Sequence, residues 1–148
     1  MNNNNVEVME KEVKQYIVVM IGNEQYGIDI RYVDNIVRMQ QITRVPKVQS
    51  YFKGIISLRG EIVPVMSIRR KMDLPDDEYT NASRIIILKL EEKGAIGVIV
   101  DEAKEVVNLS EDQIDRNTNR GRFINGVGKH GEELISLLEI SATVEEPV

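Results

Sequence analysis

Gly27-Ile28-Asp29-Ile30-Arg31-Tyr32-Val33-Asp34-Asn35-Ile36-Val37 returns seventy residues later as Gly97-Val98-Ile99-Val100-Asp101-Glu102-Ala103-Lys104-Glu105-Val106-Val107. The glycine, an aspartate nearby and the apolar spacing recur, which is the mark of a duplicated chain. Other blocks follow in the same order. The run 16–21 maps onto 86–91 at an offset of 70, Phe52-Lys53-Gly54-Ile55 matches Asn125-Gly126-Val127 at 72, and Gly60-Glu61 matches Gly131-Glu132 at 71. Two units of about 65–70 residues follow, each large enough for a small five-stranded barrel. So small a barrel buries little of its surface and is only marginally stable alone. The two are therefore expected to lean together and leave a groove lined from both halves.

The elements between these blocks read as strands. Gln15 to Ile21 is β-branched and aromatic, Gly22-Asn23-Glu24 is turn chemistry, and Gln25 to Asp29 returns as a hairpin. Ile30 to Val37 places apolar residues on one face of a short helix, and a continuing strand fits the same spacing. Ile42 to Pro46 is an extended connector. Gly54–Leu58 and Glu61–Met66 pair across Arg59-Gly60, and Pro64 predicts an edge strand or a bulge. Leu74 to Ala82 is an acidic surface loop. Arg84–Leu90, Ala95–Val100, Ala103–Leu109, Phe123–Val127 and Leu134–Ile140 are further strands. Ser110 and Gln113 have capping-box spacing and predict one helical turn before an exposed loop. The expected organisation is a disordered leader at 1–13, a β domain at 14–142 and a tail at 143–148. The first barrel covers about 14–80 and the second about 81–142, with strand exchange left open.

Composition removes most chemistries. Among 148 residues there is no cysteine and one histidine, His130, so thiol catalysis, disulfides and Cys- or multi-His metal sites are excluded. The net charge is −5, tryptophan is absent and aromatics are 5%, which leaves no basic field or stacking platform for nucleic acid. Apolar runs such as Ile85-Ile86-Ile87-Leu88 are four or five residues long. A membrane span needs roughly 20. Met1-Asn2-Asn3-Asn4-Asn5 lacks the features of a signal peptide, so a cytoplasmic location is expected.

No catalytic set emerges. His130 reads as a hairpin-tip residue, and Asp29 and Asp101 as strand-end carboxylates accepting backbone N–H groups. Gly126-Val127-Gly128-Lys129 lacks the spacing of a phosphate loop. Asp73, Asp76, Asp77 and Glu78 lack the glycine and terminal glutamate of a calcium loop and read as solvated. Arg69-Arg70-Lys71 reads as a solvated strand end. What remains is a binding module whose conspicuous feature is Leu58-Arg59-Gly60 between two apolar strands; the arginine reads either as a plain surface residue of the hairpin or as one aimed at a partner. A small-ligand or oligonucleotide-binding barrel is the alternative, disfavoured by the charge and the scarcity of aromatics.

Gly54-Ile55-Ile56-Ser57-Leu58-Arg59-Gly60-Glu61-Ile62-Val63-Pro64-Val65 resembles the CheW family of bacterial chemotaxis coupling proteins. The resemblance extends over Tyr26–Ile30, Val33, Ile36, Ile42–Pro46, Gly97–Asp101, Val106 and Phe123–Val127, about residues 14–142. It implies an all-β fold of two pseudo-symmetric five-stranded SH3-like or OB-like β-barrels with one or two short helices. It also implies a non-catalytic adaptor, without cofactor or metal, that holds the histidine kinase CheA, through its regulatory domain, to the cytoplasmic tips of methyl-accepting chemoreceptors. Such a protein sits with the receptor array at the inner face of the membrane and does not insert into it. Carried over by position, the receptor groove uses Val33, Asn35, Ile36, Arg59, Ile85, Gly97 and Val106, and the kinase-facing surface lies around Ile42, Arg44 and Gly54. The family usually has Glu where Asn35 stands, an aspartate at Ser67 and Phe at Met72. The 115–122 loop lacks an aromatic.

Overall fold

The computed structural model of the chain describes residues 12–145. Residues 1–11 of the expected leader and 146–148 of the expected tail lie outside the described residues. The strands are β1 (Val13–Ile21), β2 (Glu24–Asp29), β3 (Val33–Arg38), β4 (Phe52–Leu58), β5 (Glu61–Ser67), β6 (Arg84–Leu90), β7 (Gly94–Val100), β8 (Glu102–Ser110), β9 (Ile114–Asp115), β10 (Ile124–His130) and β11 (Glu133–Leu138). Single helical turns α1 (Ile68–Lys71) and α2 (Ile140–Thr143) follow β5 and β11. The expected turn after Ser110 is a 3-10 turn, Glu111–Gln113, closed by the predicted capping box. Residues 30–37 divide between the two readings: Ile30–Tyr32 is 3-10 and the rest is β3.

The strands form two sheets, ordered β8-β1-β2-β11-β10-β9 and β3-β6-β7-β5-β4. Replacing β1, β2, β3, β4 and β5 by β6, β7, β8, β10 and β11 turns one order into the other, apart from short β9. The pseudo-symmetry expected from the repeat is therefore present, and strands are exchanged. The first hairpin, β1–β2, belongs to the sheet built by the second half, and β6–β7 to the sheet built by the first. The sheets do not follow the contiguous division 14–80 and 81–142. They are also open rather than closed barrels, since among the described residues no ladder joins β3 to β4 or β8 to β9.

Exchange explains the unbroken apolar runs of β1 and β6. Tyr16 and Val18 point into the six-stranded sheet with Val107, Leu109, Ile135 and Leu137. Ile17, Val19 and Ile21 point the other way, into a cluster shared with Ile86, Leu88, Val98 and Val100 of the five-stranded sheet. Ile85 and Ile87 of β6 turn into their own sheet with Ile56, Val63, Val65 and Ile99. A strand buried on both faces loses the alternation of a half-exposed one. Each such side chain contributes about 1.5–3 kcal/mol. Ile140 of α2 and Val144 cap the shared cluster, where the sequence predicts a strand to Ile140.

Pro64 behaves differently from expectation. β5 is an interior strand, flanked by β4 and β7. The parallel ladder to β7 starts at Val65, one residue after the proline, so the missing donor lies outside it. The bulge sits across the hairpin, between Phe52 and Gly54 of β4, and recurs between Ile124 and Gly126 of β10. There Thr43 of the connector bonds Ile55 in both directions, at 2.9 and 2.8 Å. Gly54 has φ 141, and a Cβ would stand 2.1 Å from the Thr43 carbonyl oxygen.

Gly54→Ala should therefore cost about 3 kcal/mol or more of unfolding free energy. Gly60→Ala, at φ 83 with open space around it, should cost only about 1 kcal/mol. Urea titrations of the two variants measure the difference. Equal losses would show that the Thr43 contact does not constrain Gly54.

Candidate functional site

The β4–β5 turn has two residues, Arg59 at φ 50 and Gly60 at φ 83. Two-residue hairpins favour this left-handed pair because its twist matches the strands, and glycine or asparagine normally supplies it. The sister turn puts glycine first and has positive φ there alone, not at Glu132. Leu58 pairs Glu61 and His130 pairs Glu133, a constant shift of 72, so Arg59 is the counterpart of Gly131, whose φ is 64. The sequence match of Gly60 to Gly131 is thus one residue out of register. An L-residue in this region costs about 1–2 kcal/mol. Arg59 bears that cost while 67% of its side chain stays in solvent, so packing does not account for it.

Asp34 approaches Arg59 at 3.7 Å. It lies where the β3–β6 ladder slips, between Val33 and Asn35. Asn35 turns inward on its own chain, its Oδ1 accepting from the Ile36 N–H at 2.8 Å. The acidic group that the resemblance places at 35 stands at 34 instead. An exposed pair of this length contributes well under about 1 kcal/mol to stability, so its effect is to orient the guanidinium.

The remaining residues carried over for the receptor groove separate into two groups. Val33 is half-buried against the shared core, while Ile36 and Val106 are 38% and 48% exposed. Those two are pseudo-symmetry mates on β3 and β8, the outermost strands of their sheets. Ile85 and Gly97 are interior rather than on the exposed surface. Ile85 is fully buried in the five-stranded sheet's core, and a Cβ on Gly97 would lie 2.7 Å from its Cγ2. The glycine is needed to admit the isoleucine from the antiparallel neighbour β6, while its mate Gly27 admits Leu137 from the parallel neighbour β11.

Two exposed apolar residues escaped the sequence reading. Ile62 and Leu134, 71% and 56% exposed, occupy equivalent ladder positions. The signal was present in Ile62-Val63-Pro64-Val65: if Val63 and Val65 face the core, Ile62 faces solvent.

Ile42, Arg44 and Gly54 come together at one place. Ile42 packs on the five-stranded core, Gly54 is buried below the connector, and Arg44 is exposed above it. The connector and the 73–82 loop bound a cleft of about 680 Å³ with Arg44, Lys47, Lys53, Arg70, Asp76 and Tyr79 in its wall. The acidic loop, expected to be solvated, is fastened there. Asp76 accepts from Lys53 at 2.9 Å and from Arg70 at 3.0 Å. The Lys53 ammonium, chiefly, holds the Asp76 carboxyl down at about 2, against an ordinary 3.8. Burial pushes the Asp77 carboxyl up, although the Ser67 hydroxyl donates to it at 2.5 Å. Ser67 Oγ also accepts from the Arg70 N–H and so caps α1, which replaces the strand end expected at Arg69-Arg70-Lys71.

Asp29 and Asp101 are each engaged by an arginine. Burial opposes ionisation of Asp29, but its bonds to Arg31 prevail and hold the carboxyl below its usual value. Asp101 takes two bonds from Arg69, at 3.1 and 2.5 Å, and one from the Gly22 N–H at 2.8 Å. Gly126-Val127-Gly128-Lys129 lies inside β10. Among the described residues, no cluster of three metal-ligating side chains occurs and no helix is long and apolar enough to cross a membrane.

Comparison with known proteins gives one consistent result. The model of a family described as CheW-like domain matches residues 15–148. The Chemotaxis protein CheW of Bacillus subtilis (strain 168) is 32% identical over 146 residues, covering 93% of each chain. That of Klebsiella aerogenes is 30% identical over 132 residues, 86% of this chain and 79% of the relative. The crystal structure of the scaffolding protein TtCheW from Thermoanaerobacter tengcongensis superposes with a TM-score of 0.83 at 28% identity, covering 91% of this chain and 94% of that one.

The fastening of the 73–82 loop has a pH signature. A depressed folded-state pKa gives stability that is complete above the unfolded value and lost as pH falls through the folded one. The Asp76 contribution is therefore full above about pH 4 and fades towards pH 2. Asp76→Asn should flatten the fall in urea-unfolding free energy over that window while leaving the slope above pH 5 alone. An unaltered acid limb in the variant would show that Asp76 holds nothing.

Proposed function

The chain belongs to the CheW-like family of chemotaxis proteins, and from that premise we propose that it is a non-catalytic adaptor coupling transmembrane chemoreceptors to the histidine kinase CheA. Its place is then the cytoplasm, at the inner face of the membrane beside the receptor array. The observation that carries this reading is Arg59: a basic residue in a left-handed turn position that the sister hairpin fills with glycine, exposed, and held by Asp34. Free energy spent on presenting a charge to solvent makes sense where a partner meets that charge.

The receptor side of the adaptor comprises Arg59, Val33, Ile36 and Val106. A receptor tip is a helical hairpin, and its helices lie with an apolar stripe against exposed aliphatic side chains while a polar end is fixed by a charged group. Ile36 and Val106 supply the aliphatic contact, one from each sheet. Asn35, bonded to its own backbone, lends no charge. Ile85 and Gly97 act beneath the surface by setting the position of β6 against β7. The kinase side lies at the connector, with Ile42 and Gly54 fixing its path and Arg44 facing outward.

Three substitutions separate contact from scaffold. Arg59→Ala and Val106→Glu should each reduce capture of a receptor cytoplasmic fragment, by about 1–4 kcal/mol at a hot spot, with thermal unfolding nearly unchanged. Ile85→Ala should instead lower stability by about 2–5 kcal/mol, through the cavity it leaves. The assay is a pull-down with the receptor fragment and the regulatory domain of CheA, separately and together. A folded protein that captures neither partner sinks the adaptor reading. Normal capture by both surface variants refutes the groove assignment alone.

A further inference from the structure

The pseudo-two-fold supplies an internal control for the connector cleft. Thr43 bridges Ile55 as Asp115 pairs Val127, again a shift of 72, so residues 44–50 correspond to 116–122. In the second loop every arginine has an acidic partner: Arg116 with Glu111 at 2.7 Å, Arg120 with Glu24 at 3.6 Å and Arg122 with Glu145 at 3.6 Å. In the first loop the partners are missing. Arg44 corresponds to Arg116, but Met39-Gln40-Gln41, the stretch that answers to Glu111, holds no acidic residue, and Lys53 stands where Asn125 does. Among the described residues, the side chains of Arg44 and Lys47 make no hydrogen bond or ion pair. The fold evidently does not need cations left open here, since the same loop elsewhere in the molecule pairs them.

Backbone geometry points the same way. Lys47 has φ 61, a left-handed conformation in the Pro46-Lys47 turn that glycine would adopt without cost. Arg59 and Lys47 are thus two basic residues held in glycine's conformation, both exposed. The wall of the cleft carries Arg44, Lys47, Lys53 and Arg70 against Asp76, which is already occupied by Lys53 and Arg70. Within a chain of net charge −5 this is a local reversal of sign. Val48, 38% exposed, and Tyr79, 50% exposed, give it apolar patches, and the volume of about 680 Å³ suits a few residues of extended peptide.

We infer that this cleft binds an extended acidic segment of a partner protein, with Arg44 and Lys47 as its charge contacts and Val48 and Tyr79 as its apolar wall. The inference rests on the adaptor reading only in taking the occupant to be a protein. Opposite charge across a partly enclosed cleft attracts and orients a ligand, and the attraction weakens with salt.

The test is fluorescence anisotropy of the full chain with the fluorescein-labelled octapeptide (Glu-Leu)4, using (Lys-Leu)4 as the opposite-charge probe. Saturable binding of the acidic peptide alone is expected, weakening as salt rises. Arg44→Glu should weaken it about tenfold, and Lys93→Glu, on a distant exposed turn, should leave it unchanged. Lys47→Gly is the sharper variant: it should raise the melting temperature by about 2–4 °C while weakening the peptide several-fold. No saturable binding, equal binding of both peptides, or full displacement by inorganic phosphate against chloride of the same ionic strength would overturn the inference. The same variants in the CheA pull-down keep the two readings apart. Peptide binding without kinase capture supports the cleft and counts against the kinase placement. Kinase capture without peptide binding overturns the cleft and leaves the adaptor standing.

Discussion

The structure depends on two hairpins that each belong to the other half's sheet. β1 and β6 face a private core on one side and a shared core on the other. Removing either leaves its host sheet without a central strand and its parent half without a partner surface. Small barrels that merely touched would each bury little apolar area and be only marginally stable. By exchanging hairpins, the chain makes the interface between halves continuous with the interior of each. The Asp101 carboxylate fastens this arrangement at one corner, tying the turn of the first hairpin at Gly22 to Arg69 of α1 and to the β7–β8 junction.

That scaffold leaves the loops and edge strands as the places where the halves diverge. Gly27 and Gly97 are equivalent and both admit a crowding side chain, although it comes from different neighbours, Leu137 of β11 and Ile85 of β6. Ile36 and Val106 keep one exposure, as do Ile62 and Leu134. The turns and connectors do not match: Arg59 stands where the sister turn has glycine, Gly60 where it has a glutamate without positive φ, and Arg44 loses the carboxylate that Arg116 keeps. The asymmetric positions are exposed and charged, while the symmetric ones are apolar. Function in a duplicated binding module is expected at the positions where the duplication has stopped being one.

Much of this was legible in the sequence and some was not, for identifiable reasons. Strand positions followed from β-branched runs and turn chemistry, and the repeat announced the pseudo-symmetry. Hairpin exchange was invisible, because an apolar face records that it is buried but not against which neighbour. The same ambiguity covers Ile85 and Gly97, which the structure buries: in a strand buried on both faces, nothing in the residue type separates a groove wall from a core. Helix α1 was missed because one turn has no periodicity. It is held by the Ser67 cap and the arginine contacts, all made to residues distant in sequence or decided by local geometry. Arg59 was legible as a candidate, but its strain was not. That required the ladder register, which shifts the alignment of the two turns by one residue.

The left-handed residues complete the energetic argument. Lys47 and Arg59 together cost about 2–4 kcal/mol relative to glycine at the same places. A domain of this size holds about 5–15 kcal/mol in all. A module made of two weak barrels could not carry such a cost, and a module with a shared core can. The exchanged hairpins and the exposed cations are therefore connected: stability gained where the two halves interpenetrate offsets the strain of presenting charge at their surface. Asp34 belongs to the same logic. Displaced from the ladder by a bulge, it contributes little to folding, and it places the Arg59 guanidinium where a glycine turn would have offered only backbone.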